Sequence, residues 1–182
     1  MIRSISVFCG SSAGTNEIYT QQAFELGKLF AMNNIRLVYG GASIGVMGAI
    51  ANGSLSANGE VIGVIPHFLN KKEIAHTGIT ELISVETMHE RKLLLHTMAD
   101  AFIILPGGYG TLEEMFEVIT WSQLGLHTKK IGILNLNGFY DHLILQIEKM
   151  IDEGFIDPRY RSLIFECNSI ETLLDEMNGI KK

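Results

Sequence analysis

Short runs of β-branched and aromatic residues alternate with helical stretches from one end of the chain to the other, and few folds accept that rhythm. The runs Ile5–Cys9, Arg36–Tyr39, Val61–Ile65, Glu81–Val85, Ala101–Leu105 and Ile131–Leu134 read as strands. Between them, Thr15–Asn33, Val46–Asn58, Met88–Ala99, Thr111–Leu124 and Tyr140–Glu153 read as helices long enough to cross over a sheet, and Ile170–Met177 as a last one. Apolar strands separated by helices predict an α/β fold: a Rossmann-like, doubly wound parallel sheet covered on both faces. No linker, repeat or low-complexity segment divides the 182 residues, so residues 1–182 are expected to form a single domain.

In such a sheet ligands bind beyond the carboxyl ends of the strands, where the strand order reverses. Glycines gather at that end. Cys9-Gly10-Ser11-Ser12-Ala13-Gly14 follows the first strand, Gly40-Gly41-Ala42-Ser43-Ile44-Gly45 the second, and Pro106-Gly107-Gly108-Tyr109-Gly110-Thr111 the fifth. The last of these is the most informative. Pro106 ends a buried strand, Gly107, Gly108 and Gly110 remove β-carbons that would keep an anion from the backbone N–H groups, and a helix N-terminus follows. Thr111-Leu112-Glu113-Glu114 also satisfies a capping box, with Thr111 as N-cap and Glu114 reaching back to its amide. A cap alone does not call for three glycines. The first loop lacks the complete G-x-G-x-x-G pattern and the second lacks the P-loop lysine and hydroxyl pair, so NAD and ATP chemistry are poorly supported and a smaller phosphorylated ligand fits better.

Met88-His89-Glu90-Arg91-Lys92 opens the helix after the fourth strand at the same rim. At 100° per residue, Arg91 falls on the apolar stripe of Leu94, Leu95 and Met98, so its guanidinium should face inward. There it needs either an internal glutamate or a bound anion. Lys92 adds charge to the rim or remains a solvated side chain. On the fifth helix Glu114 shares a stripe with Val118 and Trp121, which makes it the most sheltered carboxylate of that segment. Burial would raise its pKa and Arg91 would lower it.

Composition narrows the partners. The net charge of −6, with no compensating Lys/Arg cluster, disfavours nucleic acid. No apolar stretch approaches membrane-spanning length and the amino terminus is too short and alternating for a signal peptide, so a cytoplasmic protein is expected. Cys9 and Cys167 lack C-x-x-C or metal spacing, and the residue four after His89 is Leu93, so no structural zinc is expected.

The pairing of Met88-His89-Glu90-Arg91-Lys92 with Pro106-Gly107-Gly108-Tyr109-Gly110-Thr111-Leu112-Glu113-Glu114 closely resembles the Lonely Guy family of cytokinin-activating phosphoribohydrolases, whose signature is P-G-G-x-G-T-x-x-E preceded by M-H-x-R-K. The second loop reads Gly40-Gly41-Ala42 where the family often has three glycines. The resemblance implies hydrolysis of the N-glycosidic bond of N6-modified adenosine 5′-monophosphates, or of AMP, to free base and ribose 5-phosphate, without metal or redox cofactor. It implies Arg91 and Glu114 as the catalytic pair, and Glu73, Arg91, Lys92, Gly107, Gly108, Tyr109, Gly110, Thr111, Glu114 and Thr120 as nucleotide contacts. Glu73 and Thr120 enter on resemblance alone. A homodimer is expected, partly from the family and partly because Met88–Met98 and Met115–Trp121 carry apolar residues on more than one side. The rival readings are a non-catalytic AMP-binding module and an amino-acid decarboxylase, which would need a Schiff-base lysine for which Lys71, Lys72 and Lys92 have no recognisable setting.

Overall fold

A computed structural model describes residues 2–70 and 75–178. Seven strands, β1 (Ser4–Phe8), β2 (Arg36–Tyr39), β3 (Val61–Pro66), β4 (Glu81–Val85), β5 (Ala101–Ile104), β6 (Ile131–Leu134) and β7 (Ile164–Cys167), form one sheet in the order β4-β3-β2-β1-β5-β6-β7. Every neighbouring pair is parallel. The chain winds outward from β1 to β4, returns to lay β5 against β1 with Ile5 opposite Ala101 and Phe8 opposite Ile104, and winds outward again to β7. The gap between the ends of β1 and β5 is therefore the reversal point where a doubly wound sheet opens a crevice.

Helices α1 (Ile18–Met32), α2 (Gly45–Ser56) and α7 (Ile170–Asn178) cover one face. They bury Leu26, Phe30, Ile50 and Leu173 against Ile5, Val7, Leu37 and Ile103. On the other face, α4 (Met88–Thr97), α5 (Tyr109–Gln123) and α6 (Asp141–Asp152) bury Leu95, Met115, Val118 and Ile147 against Phe8, Val38, Val64, Phe102 and Ile104. Successive strand residues serve opposite faces, so the central strands are apolar throughout, as a sheet covered twice requires. A one-turn helix, α3 (His67–Asn70), follows β3. Gly27 and Gly53 let α1 and α2 pack backbone to backbone: a β-carbon on either would overlap a carbonyl of the facing helix, at Ile50 or at Phe24.

Two expectations need correction. The seventh strand, Ile164–Cys167, was not anticipated: its sequence, Ile-Phe-Glu-Cys, is short and carries a glutamate because it is an edge, where Glu166 meets Arg161 at 2.5 Å. Thr111 is not an N-cap. Helix α5 starts two residues earlier, with Gly108 at the cap position and no side-chain cap bond, and Thr111 lies buried inside its first turn. A capping box does exist, on α4, where the Thr87 hydroxyl accepts from the Glu90 amide at 3.1 Å and the Glu90 carboxylate accepts from the Thr87 amide at 3.3 Å.

Candidate active site

The loops after β1, β2 and β5 meet at the reversal point and are tied by main-chain bonds. The Gly10 amide donates to the Pro106 carbonyl at 3.0 Å, and the Met47 amide donates to the Gly10 carbonyl at 3.1 Å. These glycines are packed tight. A β-carbon on Gly10 would stand 3.3 Å from the Gly107 Cα, and one on Gly107 would overlap the Thr111 hydroxyl and stand 2.8 Å from the Gly10 nitrogen. Gly108 and Gly110 are different: a β-carbon there would meet nothing within 4 Å. Open space over a helix N-terminus is where unpaired first-turn N–H groups can receive an anion.

That space belongs to a cleft of about 440 Å³, inside the roughly 300–1,000 Å³ common for small-molecule sites. Its walls are the loops at 9–14 and 106–111, with Val46 and Met47 from α2, Arg91 from α4 and Glu114 from α5. Arg91 and Glu114 are each 6% exposed. The Arg91 Nη1 donates to Glu114 Oε1 at 2.8 Å and its Nε donates to the Val64 carbonyl at 3.0 Å. The bare Gly40 leaves room for the rest of the guanidinium, since a β-carbon there would overlap Nη2. Among the described residues the second carboxylate oxygen of Glu114 takes no hydrogen bond. Burial pushes the Glu114 carboxyl above the usual range for a carboxylate; Arg91 opposes this without cancelling it, and the neighbouring Glu113 adds to the rise. The Cys9 thiol in the same wall is pushed up by burial and by Glu114, so it stays protonated and is a poor nucleophile.

The structure thus brings together Arg91, Gly107, Gly108, Tyr109, Gly110, Thr111 and Glu114. Tyr109 is 94% exposed. Lys92 and Thr120 stand apart from this cleft. The Lys92 ammonium donates to Glu113 Oε1 and Glu117 Oε2, both at 2.6 Å. Thr120 lines a separate apolar groove between α5 and α6, with Phe116, Ile147 and Met150. Glu73, Lys71 and Lys72 lie outside the described residues.

Two residues of the cleft mouth were not anticipated. Tyr19 of α1 and Phe139, which follows β6, meet edge to face with ring centroids 5.7 Å apart. Phe139 is held there by a turn in which Asn137 and Gly138 are both left-handed, at φ 52° and 68°. The Asn135 side chain fixes that turn by accepting from the Tyr140 amide at 2.8 Å, and the Tyr140 hydroxyl reaches the Leu105 carbonyl at 2.8 Å. The Asn-Gly pair at 137–138 signals a turn in the sequence, but which loop the turn faces is decided by the sheet order.

Residues 47–177 match the family model described as "possible lysine decarboxylase". A cytokinin riboside 5′-monophosphate phosphoribohydrolase of Arabidopsis thaliana is 49% identical over 172 residues, covering 94% of this chain and 81% of that protein. A second, from Rhodococcoides fascians, is 49% identical over 170 residues, covering 93% and 86%. In three dimensions the molybdenum cofactor binding protein of Rippkaea orientalis superposes with a TM-score of 0.75 over 98% of this chain and 97% of that one, at 20% identity, which is a likeness of fold. The decarboxylase description finds no support at Lys92, whose two ion pairs raise its pKa and hold it as an ammonium, the opposite of what a Schiff-base lysine needs. With the P-G-G-x-G-T-x-x-E loop and the inward arginine in place and these relatives matching along nearly the whole chain, the protein belongs to the Lonely Guy family, the family of the cytokinin riboside 5′-monophosphate phosphoribohydrolases.

Proposed function

We propose that this cleft hydrolyses the N-glycosidic bond of adenosine 5′-monophosphates, N6-substituted ones in particular, releasing the free base and ribose 5-phosphate. The observation that carries the reading is the adjacency of two features in one cleft: an open helix N-terminus where Gly108 and Gly110 carry no β-carbon on either side of the outward-facing Tyr109, and a sheltered carboxylate, Glu114, paired with Arg91. The activity named for the relatives needs both, an anion site for the 5′-phosphate and an acidic group beside the sugar.

In this reading the 5′-phosphate docks on the first-turn amides of α5, and its binding energy places the ribose. As the C1′–N bond lengthens, positive charge grows on the sugar and the Glu114 carboxylate stabilises it. Water adds to C1′ as the base leaves with the bonding pair; Glu114 orients the water and takes one of its protons, later returned to solvent, and the base takes up a proton from solvent, so that the water is divided between ribose 5-phosphate and the free base. Arg91 keeps the buried carboxylate ionised and fixes its direction.

A homodimer is part of the proposal. Met88, Leu93, Phe116, Leu124 and Leu126 are exposed apolar residues on or just beyond α4 and α5, and a second copy would cover them. So is a cytoplasmic setting: Cys9 and Cys167 are free thiols, and among the described residues no helix is long and apolar enough to cross a membrane.

The test is to incubate the purified protein with AMP, N6-isopentenyladenosine 5′-monophosphate and the matching nucleosides, and to separate released bases by chromatography. Base release from a monophosphate, exceeding that from its nucleoside by about 100-fold or more, is the expected result. Equal turnover of nucleoside and nucleotide, or nucleotide binding without base release, would overturn it.

A further inference from the structure

The order of the strands decides which way a nucleotide lies in the cleft. The Arg91 head stands toward β2 and β3, where its Nε donates to the Val64 carbonyl and its Nη2 lies over the bare Gly40. The amide row at 108–111 follows β5, and Phe139 comes after β6, one strand further out on the other side. With its phosphate on the amide row and its sugar at Glu114, a mononucleotide therefore points its base toward β2 and β3 and its outer phosphate oxygens toward Phe139.

That end of the cleft is held in place. Phe139 is 43% exposed, yet the turn that carries it is fixed at several points. Asn137 and Gly138 are left-handed, the Asn135 side chain donates to Asp141 Oδ1 at 2.7 Å and accepts from the Tyr140 amide at 2.8 Å, and the Tyr140 hydroxyl donates to the carbonyl of Leu105, the residue before Pro106. A non-glycine residue in the left-handed region, used to hold an exposed aromatic ring, points to a ring whose place matters. Tyr19 meets that ring edge to face at 5.7 Å. The loop at 11–14 lies against Tyr19 in turn, since a β-carbon on Gly14 would stand 2.9 Å from its ring. Two rings thus join α1 to the turn after β6 across the phosphate end. Among the described residues lining that end, 10–14, Tyr19, 107–110 and Phe139, none is a lysine, arginine or histidine.

We propose that Tyr19 and Phe139 are specificity-determining residues: their rings close the cleft beyond the 5′-phosphate, so that it takes a terminal monophosphate and rejects a phosphate that is esterified or carries a second phosphate. This rests on the proposed reaction, in which the phosphate sits on the α5 amides. Shape and charge act together. A group bonded to an outer phosphate oxygen has to displace the ring pair, and a second phosphate brings further negative charge against two aromatic rings with no cation there to receive it. The helix end itself offers roughly half an elementary charge, which suits one phosphate and not a chain of them.

The measurement is kcat/KM for base release from AMP and from N6-isopentenyladenosine 5′-monophosphate, each as the free phosphate and as its phosphate methyl ester, for wild type and Phe139→Ala. The methyl ester lengthens the phosphate without adding negative charge, so it reads shape alone. The quantity compared is the ratio of free phosphate to ester within one protein, in which any loss common to both substrates cancels. For wild type the expected ratio is about 100, within the range by which one carbon-sized group is told apart. Phe139→Ala opens the wall and should lower that ratio about tenfold. A wild type that accepts ester and free phosphate equally would overturn the inference, as would a ratio unmoved by Phe139→Ala. Should Phe139→Ala not fold, Tyr19→Leu opens the same gap from α1 while keeping an apolar side chain against the helix; the same fall is expected, and an unmoved ratio contradicts the inference equally. A wild type that releases no base from either monophosphate defeats the reaction and this inference together; an active wild type whose preference survives the substitution defeats the inference alone.

Discussion

The rim of the cleft has a packed half and an open half, and the two use glycine for opposite reasons. In the packed half, Gly10 and Gly107 are jammed against backbone and against Thr111, so the loops could not close over the sheet with side chains there. In the open half, Gly108 and Gly110 face empty space, and nothing in the fold forbids a methyl group. Glycines that packing does not require, standing at a helix N-terminus beside a buried ion pair, fit the proposed phosphate site. The same division runs through the ionisable groups. Arg91 and Glu114 form a buried pair that stabilises the fold little relative to apolar packing, because the desolvation of both charges offsets their attraction. In the proposed reaction their value is chemical.

Substitutions along this division test it, beginning with the largest effect. Glu114→Gln keeps an acceptor for the Arg91 guanidinium but removes the charge. Turnover of a monophosphate substrate should fall by about 10³-fold, of the order seen for catalytic acids and bases, while circular dichroism reports a folded protein. Near-wild-type turnover would place Glu114 with the structural residues. Next, Gly107→Ala should lower stability by about 1–3 kcal/mol in chemical denaturation, the usual range for overpacking, because the new methyl meets Thr111 and the Gly10 nitrogen. Gly108→Ala should do the reverse: a stability change within about 0.5 kcal/mol, with KM for the monophosphate raised about tenfold because the methyl projects where the phosphate docks. If both alanine variants lose stability equally, the distinction between the halves fails.

The smallest effect is on pH. Burial raises the Glu114 carboxyl above its ordinary value of 4.5. In the proposed reaction the active form is the carboxylate, so activity should disappear as pH falls through a value above 4.5. Stability runs the other way: between 4.5 and the raised value the folded protein holds a proton that the unfolded chain has lost, so this group's contribution diminishes as pH rises through that window. Glu114→Gln should abolish that component of the stability profile, and denaturation midpoints measured across pH would show whether it does.

Much of this was legible in the sequence because it depends on period and spacing. Alternating apolar runs and helical stretches specify a doubly wound sheet, and helical phase alone turns Arg91 inward. What was not legible depends on long-range geometry. Thr111-Leu112-Glu113-Glu114 fits a capping box as well as a buried first turn; in the fold the helix begins at Tyr109 and the Thr111 side chain fills the space over Gly107, beside the Gly10 loop, which lies far away in sequence. The β7 edge, Ile-Phe-Glu-Cys, is as long as β2, but it follows a 3-10 segment rather than a crossover helix and its apolar run is broken by Glu166, so the strand–helix rhythm does not mark it. Phe139 reaches the mouth of the cleft only because β6 lies beside β5, and Lys92 turns to α5 because of how two helices lie against each other; neither relation is local in sequence.

The central claim, that a nucleotide's phosphate rests on the bare amides of the open half with its sugar at Glu114, is tested most directly by a crystal structure of the Glu114→Gln variant grown with AMP. The account predicts phosphate oxygens within hydrogen-bonding distance of the backbone N–H groups of Gly108–Thr111 and the ribose C1′ turned toward residue 114. A phosphate bound elsewhere, with that amide row left to solvent, would contradict it.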